Sequence, residues 1–514
     1  MTQLSILVAT SQRVGATAAR LSKVRELAAL LMTLQPEEIA LAVSYLSGEL
    51  PQGRIGIGGS TLRIVAEQAP ATASTLSIAD VDRALTELAE IRGAGSGARR
   101  VQQLRALLGR ASAEERDFLL RLLLGELRQG ALAGVMVEAI AAAAQRPVAD
   151  VRRAAMYAPT LGEVARVALL EPPEALSRWQ LELFAPVAPM LAQTVADVGE
   201  ALQEIAGEVA FEWKLDGARI QVHKRDTEVR IYTRTLNEVT ASVPEIVEAV
   251  RALPARTLVL DGEAIALDAN GRPRPFQVTM RRFGRRLNVE VLRAELPMHG
   301  YFFDCLRLED TSLADRATRE RFAALASVVP GALRVPRLVT TQESMARDFY
   351  EAALLAGHEG LVAKSLDAPY EAGNRGASWL KIKRAHTLDL VVLAAEWGSG
   401  RRTGKLSNLH LGALDPVSGE YVMLGKTFKG LTDAMLEWQT RELLARETHR
   451  DRFTVHVRPE LVVEVAFSDL QASPRYPGGL ALRLARVKRY RVDKRVEEAD
   501  TMPSVRRIFA QQTS

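Results

Sequence analysis

Up to about residue 175 the apolar positions recur at three- and four-residue steps, the period of an amphipathic helix. In Thr17–Leu31 the residues Leu21, Val24, Leu27, Leu30 and Leu31 form one stripe, and Val81–Ile91, Arg100–Leu108 and Glu114–Leu127 repeat the pattern. Pro51-Gln52-Gly53 and Gly93-Ala94-Gly95-Ser96-Gly97 supply the breaks. Ala131–Ala144 is apolar but short and interrupted by Glu138, so it predicts a core helix and not a membrane span.

From about Val187 the period drops to two. Phe211–Leu215, Glu228–Arg234, Thr257–Leu267, Leu361–Lys364 and Leu380–Lys383 read as strands, with a turn signal at Asn270-Gly271 and helical stretches at Val243–Ala252 and Arg316–Ala326. After about Thr387, strands Leu388–Leu393, Glu420–Leu424 and Leu461–Ala466 surround a helix over Thr432–Leu444, a pattern that suits a small barrel of the oligonucleotide-binding type. The fold class is therefore multidomain: helical over 1–180, mixed α/β over 181–386, and a β-rich barrel over 387–514.

Composition narrows the picture without deciding it. The 514 residues fit about three domains, and 47% hydrophobic with 25% charged residues excludes wholesale disorder. Met1–Gly15 carries Ser11, Gln12 and Arg13 where a signal peptide needs an unbroken apolar stretch, so neither export nor membrane association is expected. A single cysteine, Cys305, excludes an intrachain disulfide and a cysteine-built zinc site, and fits a reducing cytoplasm. The 67 basic and 62 acidic residues leave +5, a mild pointer to a polyanionic partner. The charge is concentrated at Arg483–Arg495, where seven of thirteen residues are basic and only Asp493 is acidic.

Three glycine-rich stretches imitate nucleotide loops and fail on spacing. Ile55–Gly59 has Thr61 in place of the last fingerprint glycine, Gly398–Lys405 has Ser399 and Leu406 at required positions, and Gly419–Thr427 is one residue too long. Glu212-Trp213-Lys214-Leu215-Asp216-Gly217-Ala218-Arg219 offers different chemistry. Strand alternation puts Glu212, Lys214 and Asp216 on one face. A lysine amine attacks phosphorus only when neutral, which desolvation and nearby cations favour and the flanking carboxylates oppose. A metal ion thus belongs to the argument. Gly217 permits a tight turn that returns Arg219 toward bound phosphates.

This element opens an ordered series: Tyr232-Thr233-Arg234, Leu260-Asp261-Gly262-Glu263, Phe302 to Leu306, Glu359 to Lys364, Trp379 to Lys383, and the basic run from Arg483 to Lys494. The series resembles the ATP-dependent DNA ligases of the covalent nucleotidyltransferase superfamily. Arg20–Leu31 and Leu122–Gly130 resemble the helical DNA-binding domain of the larger ligases, so the likeness spans nearly the whole chain and is greatest to bacterial forms. One departure is visible, since Leu484 and Ala485 stand where the family carries an aromatic and a proline.

The resemblance implies an adenylation domain between a DNA-binding domain and an oligonucleotide-binding barrel. It also implies nick sealing in replication, recombination or repair, by a cytoplasmic, nucleoid-associated monomer encircling nicked duplex DNA. Lys214 would carry AMP from ATP, with Glu263 and Glu359 holding Mg²⁺ or Mn²⁺. Phe303 would stack on adenine and Glu212 would recognise it. Arg219 and Arg234 would reach AMP and the nick phosphate, Arg375, Lys381 and Lys383 would clamp the α-phosphate, and Arg486, Arg491 and Lys494 would orient pyrophosphate. An RNA ligase or guanylyltransferase is the rival enzyme, against which the long helical front domain argues. A clamp without chemistry is the rival of another class, opposed by intact Lys214, Glu263, Glu359 and Lys381.

Overall fold

The structure is a computed structural model that describes every residue except 54, 67, 128–132, 284–288, 384–385, 400–401 and 514. Among the described residues, ten α-helices from Leu4–Ala16 to Leu161–Leu170 pack around one apolar core that includes Leu27, Tyr45, Leu85, Leu119 and Ile140. Ser77 and Ser112 close capping boxes with Asp80 and Glu115, satisfying amide donors at two helix starts. Leu21 does not join the core. The helix begins at Arg20, and Leu21 in its first turn is 76% exposed. The apolar stretch expected over Ala131–Ala144 forms helix Ala133–Ala144, and its Glu138 pairs with Arg20 at 2.8 Å. Its first two residues, and the end of the Leu122–Gly130 stretch, lie outside the described residues. No helix of the described residues is long and apolar enough to cross a membrane.

The middle of the chain folds into two five-stranded sheets. One is ordered Leu191–Val195, Arg375–Lys383, Gly360–Ser365, Val209–Trp213, Arg337–Thr340, and the other Glu228–Thr233, Ala218–Arg225, Thr257–Ala266, Met298–Leu308, Thr311–Ser312. The chain leaves the first sheet at Trp213 and enters the second at Ala218, so Lys214 to Gly217 form the crossing between them. Lys214 is past the end of its strand, and the alternation expected through Asp216 stops three residues short.

The last part is a curved sheet built on the long strand His386–Trp397. Its first half pairs with Val462–Phe467, its second half with Thr454–Val457, and Val391 to Trp397 also pairs with Leu406–Asp415. Thr432 caps helix Asp433–Ala445. Gly419–Thr427, the nearest imitation of a phosphate loop, is a strand of this sheet with its preceding turn. The closing helix Met502–Thr513 was not expected; it buries Met502 and Val505 against the sheet. A separate hairpin, Asp469–Ala472 with Leu480–Arg483, reaches back to the middle domain, where Gln277 donates to Gln471 Oε1 at 2.9 Å.

Candidate active site

Lys214 is fixed by its own backbone. Its N–H donates to Gly360 O at 2.8 Å, and its carbonyl accepts from Glu359 N–H at 3.0 Å. Both adjoining glycines are required by contact. A Cβ on Gly217 would stand 2.4 Å from Ala264 O, and one on Gly360 would stand 2.2 Å from Ile382 O. Gly360 also adopts a φ of +138°, the bend that turns Glu359 toward Lys214. Close approach of the crossing to the strand Thr257–Ala266, more than turn conformation, accounts for Gly217.

The Lys214 ammonium pairs with Glu359 Oε2, and Lys383 pairs with the same oxygen at 2.6 Å. Burial opposes the charge on Lys214, but Glu359, Glu263 and Asp216 overcome it and hold the lysine above its ordinary value. Glu359 itself is buried, yet Lys214 and Lys383 hold its carboxyl below the usual range. Burial lifts Glu263 to about 7, against the pull of Lys214 and Arg219. Burial and then Glu359 raise Asp216 as well.

These groups line a cavity of about 930 Å³. Arg234, Arg375, Lys381 and Lys383 gather along one wall. Lys381 is lowered by burial first, and then by Arg375, Lys383, Lys214 and Arg234, as expected of a cationic nest shaped for an anion. Glu212 and Phe303 also line the cavity. Arg337 donates to Glu212 Oε1 at 2.7 and 2.5 Å, and Lys364 pairs with Glu212 Oε2 at 2.5 Å. The Lys364 ammonium lies 4.4 Å from the centre of Phe303 and 4.1 Å from that of Trp379. Arg219 also lines the cavity, with its guanidinium held by Asp261 and stacked near Phe303 and Trp379.

From the C-terminal hairpin, Arg483 Nη1 donates to Asp216 and to Asp469, each at 3.1 Å, and its guanidinium lies 4.8 Å from the Phe276 ring centre. Leu484, exposed and with a φ of +56°, completes the cavity wall. Carboxylate oxygens of Asp216, Glu359 and Asp469 all lie within 4.8 Å of one another; Glu263 stands outside this trio. The other basic residues expected here do not line the cavity. Arg491 and Lys494 are tied to Asp389 at 2.9 and 2.6 Å, and Arg486 lies exposed on the outer strand Arg486–Tyr490. Ion pairing within the barrel claims Arg491 and Lys494, and Arg483 is the basic member of the run that enters the cavity.

A family model described as the ATP dependent DNA ligase domain matches residues 189–383, and models for the ligase C-terminal region and N terminus match 402–494 and 63–141. A protein of Anaeromyxobacter sp. (strain Fw109-5) named a probable DNA ligase is 61% identical over 514 residues, covering 100% of this chain and 99% of its own. The chain belongs to the ATP-dependent DNA ligase family. Another relative named a probable DNA ligase, from Anaeromyxobacter dehalogenans (strain 2CP-C), is 60% identical across 98% of this chain and 99% of its own. The solved structure Pmar-Lig_Pre shares the ligase fold with a TM-score of 0.63 at 19% identity, covering 95% of this chain and 99% of its own.

Within this ligase site several neighbours escaped the sequence reading. Arg337 and Asp469 lie far along the chain with no local signal, and tertiary packing alone brings them to Glu212 and Asp216. Lys364 carried a signal, since it closes the Glu359–Lys364 element; its burial between two aromatic rings did not show in the alternation.

Proposed function

We propose that this ATP-dependent DNA ligase joins 5′-phosphate and 3′-hydroxyl ends at nicks in duplex DNA by way of AMP bonded to Lys214, acting as a monomer around the duplex. The observation that carries the reading is the Lys214 amine at the crossing of two sheets, between the Glu359 carboxylate and the wall of Arg234, Arg375, Lys381 and Lys383. The Lys214 nitrogen attacks the α-phosphorus of ATP, the bond to the β-phosphate oxygen breaks, and pyrophosphate leaves. An oxygen of the nick 5′-phosphate then attacks the adenylate phosphorus and releases Lys214. Finally the 3′-hydroxyl oxygen attacks the 5′-phosphorus, and AMP departs.

Each step spreads charge over phosphate oxygens, so fixed cations in a confined cavity carry most of the catalysis. Arg375, Lys381 and Lys383 hold the α-phosphate, while Arg219 and Arg234 reach AMP and the nick phosphate. Phe303 supplies a flat face for adenine and Glu212 accepts from its amino group. Glu359 and Glu263, with Asp216 close to Glu359, would offer carboxylate oxygens to Mg²⁺ or Mn²⁺, hard cations that prefer such ligands. Such an ion, when bound, neutralises phosphate charge and favours the neutral amine of Lys214.

Incubation with α-labelled ATP, followed by nicked DNA or nicked RNA, tests the reading. Covalent label from ATP on the parent, its loss in Lys214→Ala, and sealing of nicked DNA are expected. Label from GTP alone, or undiminished sealing by Lys214→Ala, would refute it.

A further inference from the structure

We infer that Tyr370 is a positioning residue that sets the pose of Arg219, and that it does so by tying Arg219 to the segment entering the adenylation domain. The inference rests on the role proposed for Arg219 at AMP and the nick phosphate.

Tyr370 is 1% exposed, yet its hydroxyl is fully used. It donates to Asp261 Oδ2 at 2.7 Å and accepts from Met190 N–H at 3.0 Å, with Arg219 Nη2 at 3.4 Å. Arg219 is gripped by the same partners. Its Nε and Nη2 donate to the two Asp261 oxygens at 3.0 and 2.5 Å, and Nη1 donates to Met190 O at 2.6 Å. Tyr370, Asp261 and the Met190 peptide therefore hold most of the guanidinium's donors, and leave its face toward Phe303 and Trp379 at 5.3 and 5.4 Å.

The loop bearing Tyr370 is itself immobilised, so its hydroxyl can impose a position. Tyr370 N–H donates to Ala314 O at 2.8 Å, and Ala368 O accepts from Thr318 N–H and Arg321 Nη1, each at 3.0 Å. Gly373 N–H donates to Pro189 O at 3.2 Å, and Leu191 N–H to Asn374 O at 2.8 Å. The helical domain braces the same loop: Arg153 donates to Asp315 at 2.8 Å, beside Ala314, and Arg152 lies 3.9 Å from Glu371. Five residues beyond Tyr370, the chain delivers Arg375 to the phosphate wall.

Tyr370→Phe keeps the ring and removes the hydroxyl, leaving the Met190 N–H without its acceptor. In single-turnover sealing by pre-adenylated enzyme, the rate constant at saturating nicked DNA is expected to fall about tenfold while the half-saturating DNA concentration stays within about twofold. In an Arg219→Ala background the same substitution should cost nothing further. Asp261→Asn, which keeps the side-chain shape, should show the same lack of additivity. An unchanged rate for Tyr370→Phe, or an equal loss in the Arg219→Ala background, would overturn the inference. Failure of the parent to form any lysyl adduct would instead defeat the underlying functional reading.

Discussion

At the scale of single residues the central tension is protonation. On the proposed mechanism the Lys214 amine must be neutral to attack, yet its carboxylate neighbours favour the cation, so without nucleotide and metal the lysine is held protonated. The companion effect is measurable. Glu263 rises from 4.5 to about 7, so between those values the folded chain keeps a proton that the unfolded chain has released. Stability is therefore lost as pH climbs through that window, on the order of 3 kcal/mol for this group. Asp216 acts in the same direction, whereas the contribution of Glu359, whose value is lowered, disappears only in acid. Thermal unfolding of the metal-free protein should show Tm falling from pH 5 to about 7.5, with a flatter slope in Glu263→Gln; a parallel slope would contradict the assignment. Little of this was legible in the sequence. The spacing of Glu212, Lys214 and Asp216 announced a lysine among carboxylates, but burial, which makes Glu263 the strained member, is a property of the packed sheets.

At the scale of elements, the site depends on two strands meeting closely at the crossing. Periodicity found strands such as Thr257–Ala266 and helices such as Ile78–Glu90, because a half-buried strand and an amphipathic helix write their burial into the chain. It failed where burial and period part company. The strand ends at Trp213, so Lys214 owes its position to hydrogen bonds with Glu359 and Gly360 instead of to the pleat. The final helix escaped because its buried face is short, with Met502 and Val505 contributing most of it. The crossing gives a direct test. Gly360→Ala would drive a methyl against Ile382 O and force a φ of +138° on an alanine. A loss of roughly 3 kcal/mol is expected in denaturant unfolding, together with weaker self-adenylation as Glu359 is displaced. A variant of parental stability would show that the strands can part there without cost.

At the scale of the whole molecule, the ligase is seen with its C-terminal hairpin on the nucleotide cavity. Arg483 bridges Asp216 of the nucleophile element to Asp469 of the hairpin, and Gln471 meets Gln277 nearby. On the proposed mechanism pyrophosphate would leave past this hairpin, and the hairpin would lift before duplex DNA approaches Lys214. Arg483 should therefore serve the ATP-dependent step and not the later ones. Arg483→Ala is expected to slow lysyl–AMP formation about a hundredfold, while sealing of a nick already carrying 5′-adenylate stays near the parental rate. Arg491→Ala should do the reverse of what its place in the basic run suggests. Because it is committed to Asp389, its loss should lower Tm and leave lysyl–AMP formation within about twofold. Equal adenylation defects in the two variants would mean that the barrel turns a different face to ATP during the reaction, releasing Arg491 and Lys494 from Asp389 to meet the departing pyrophosphate.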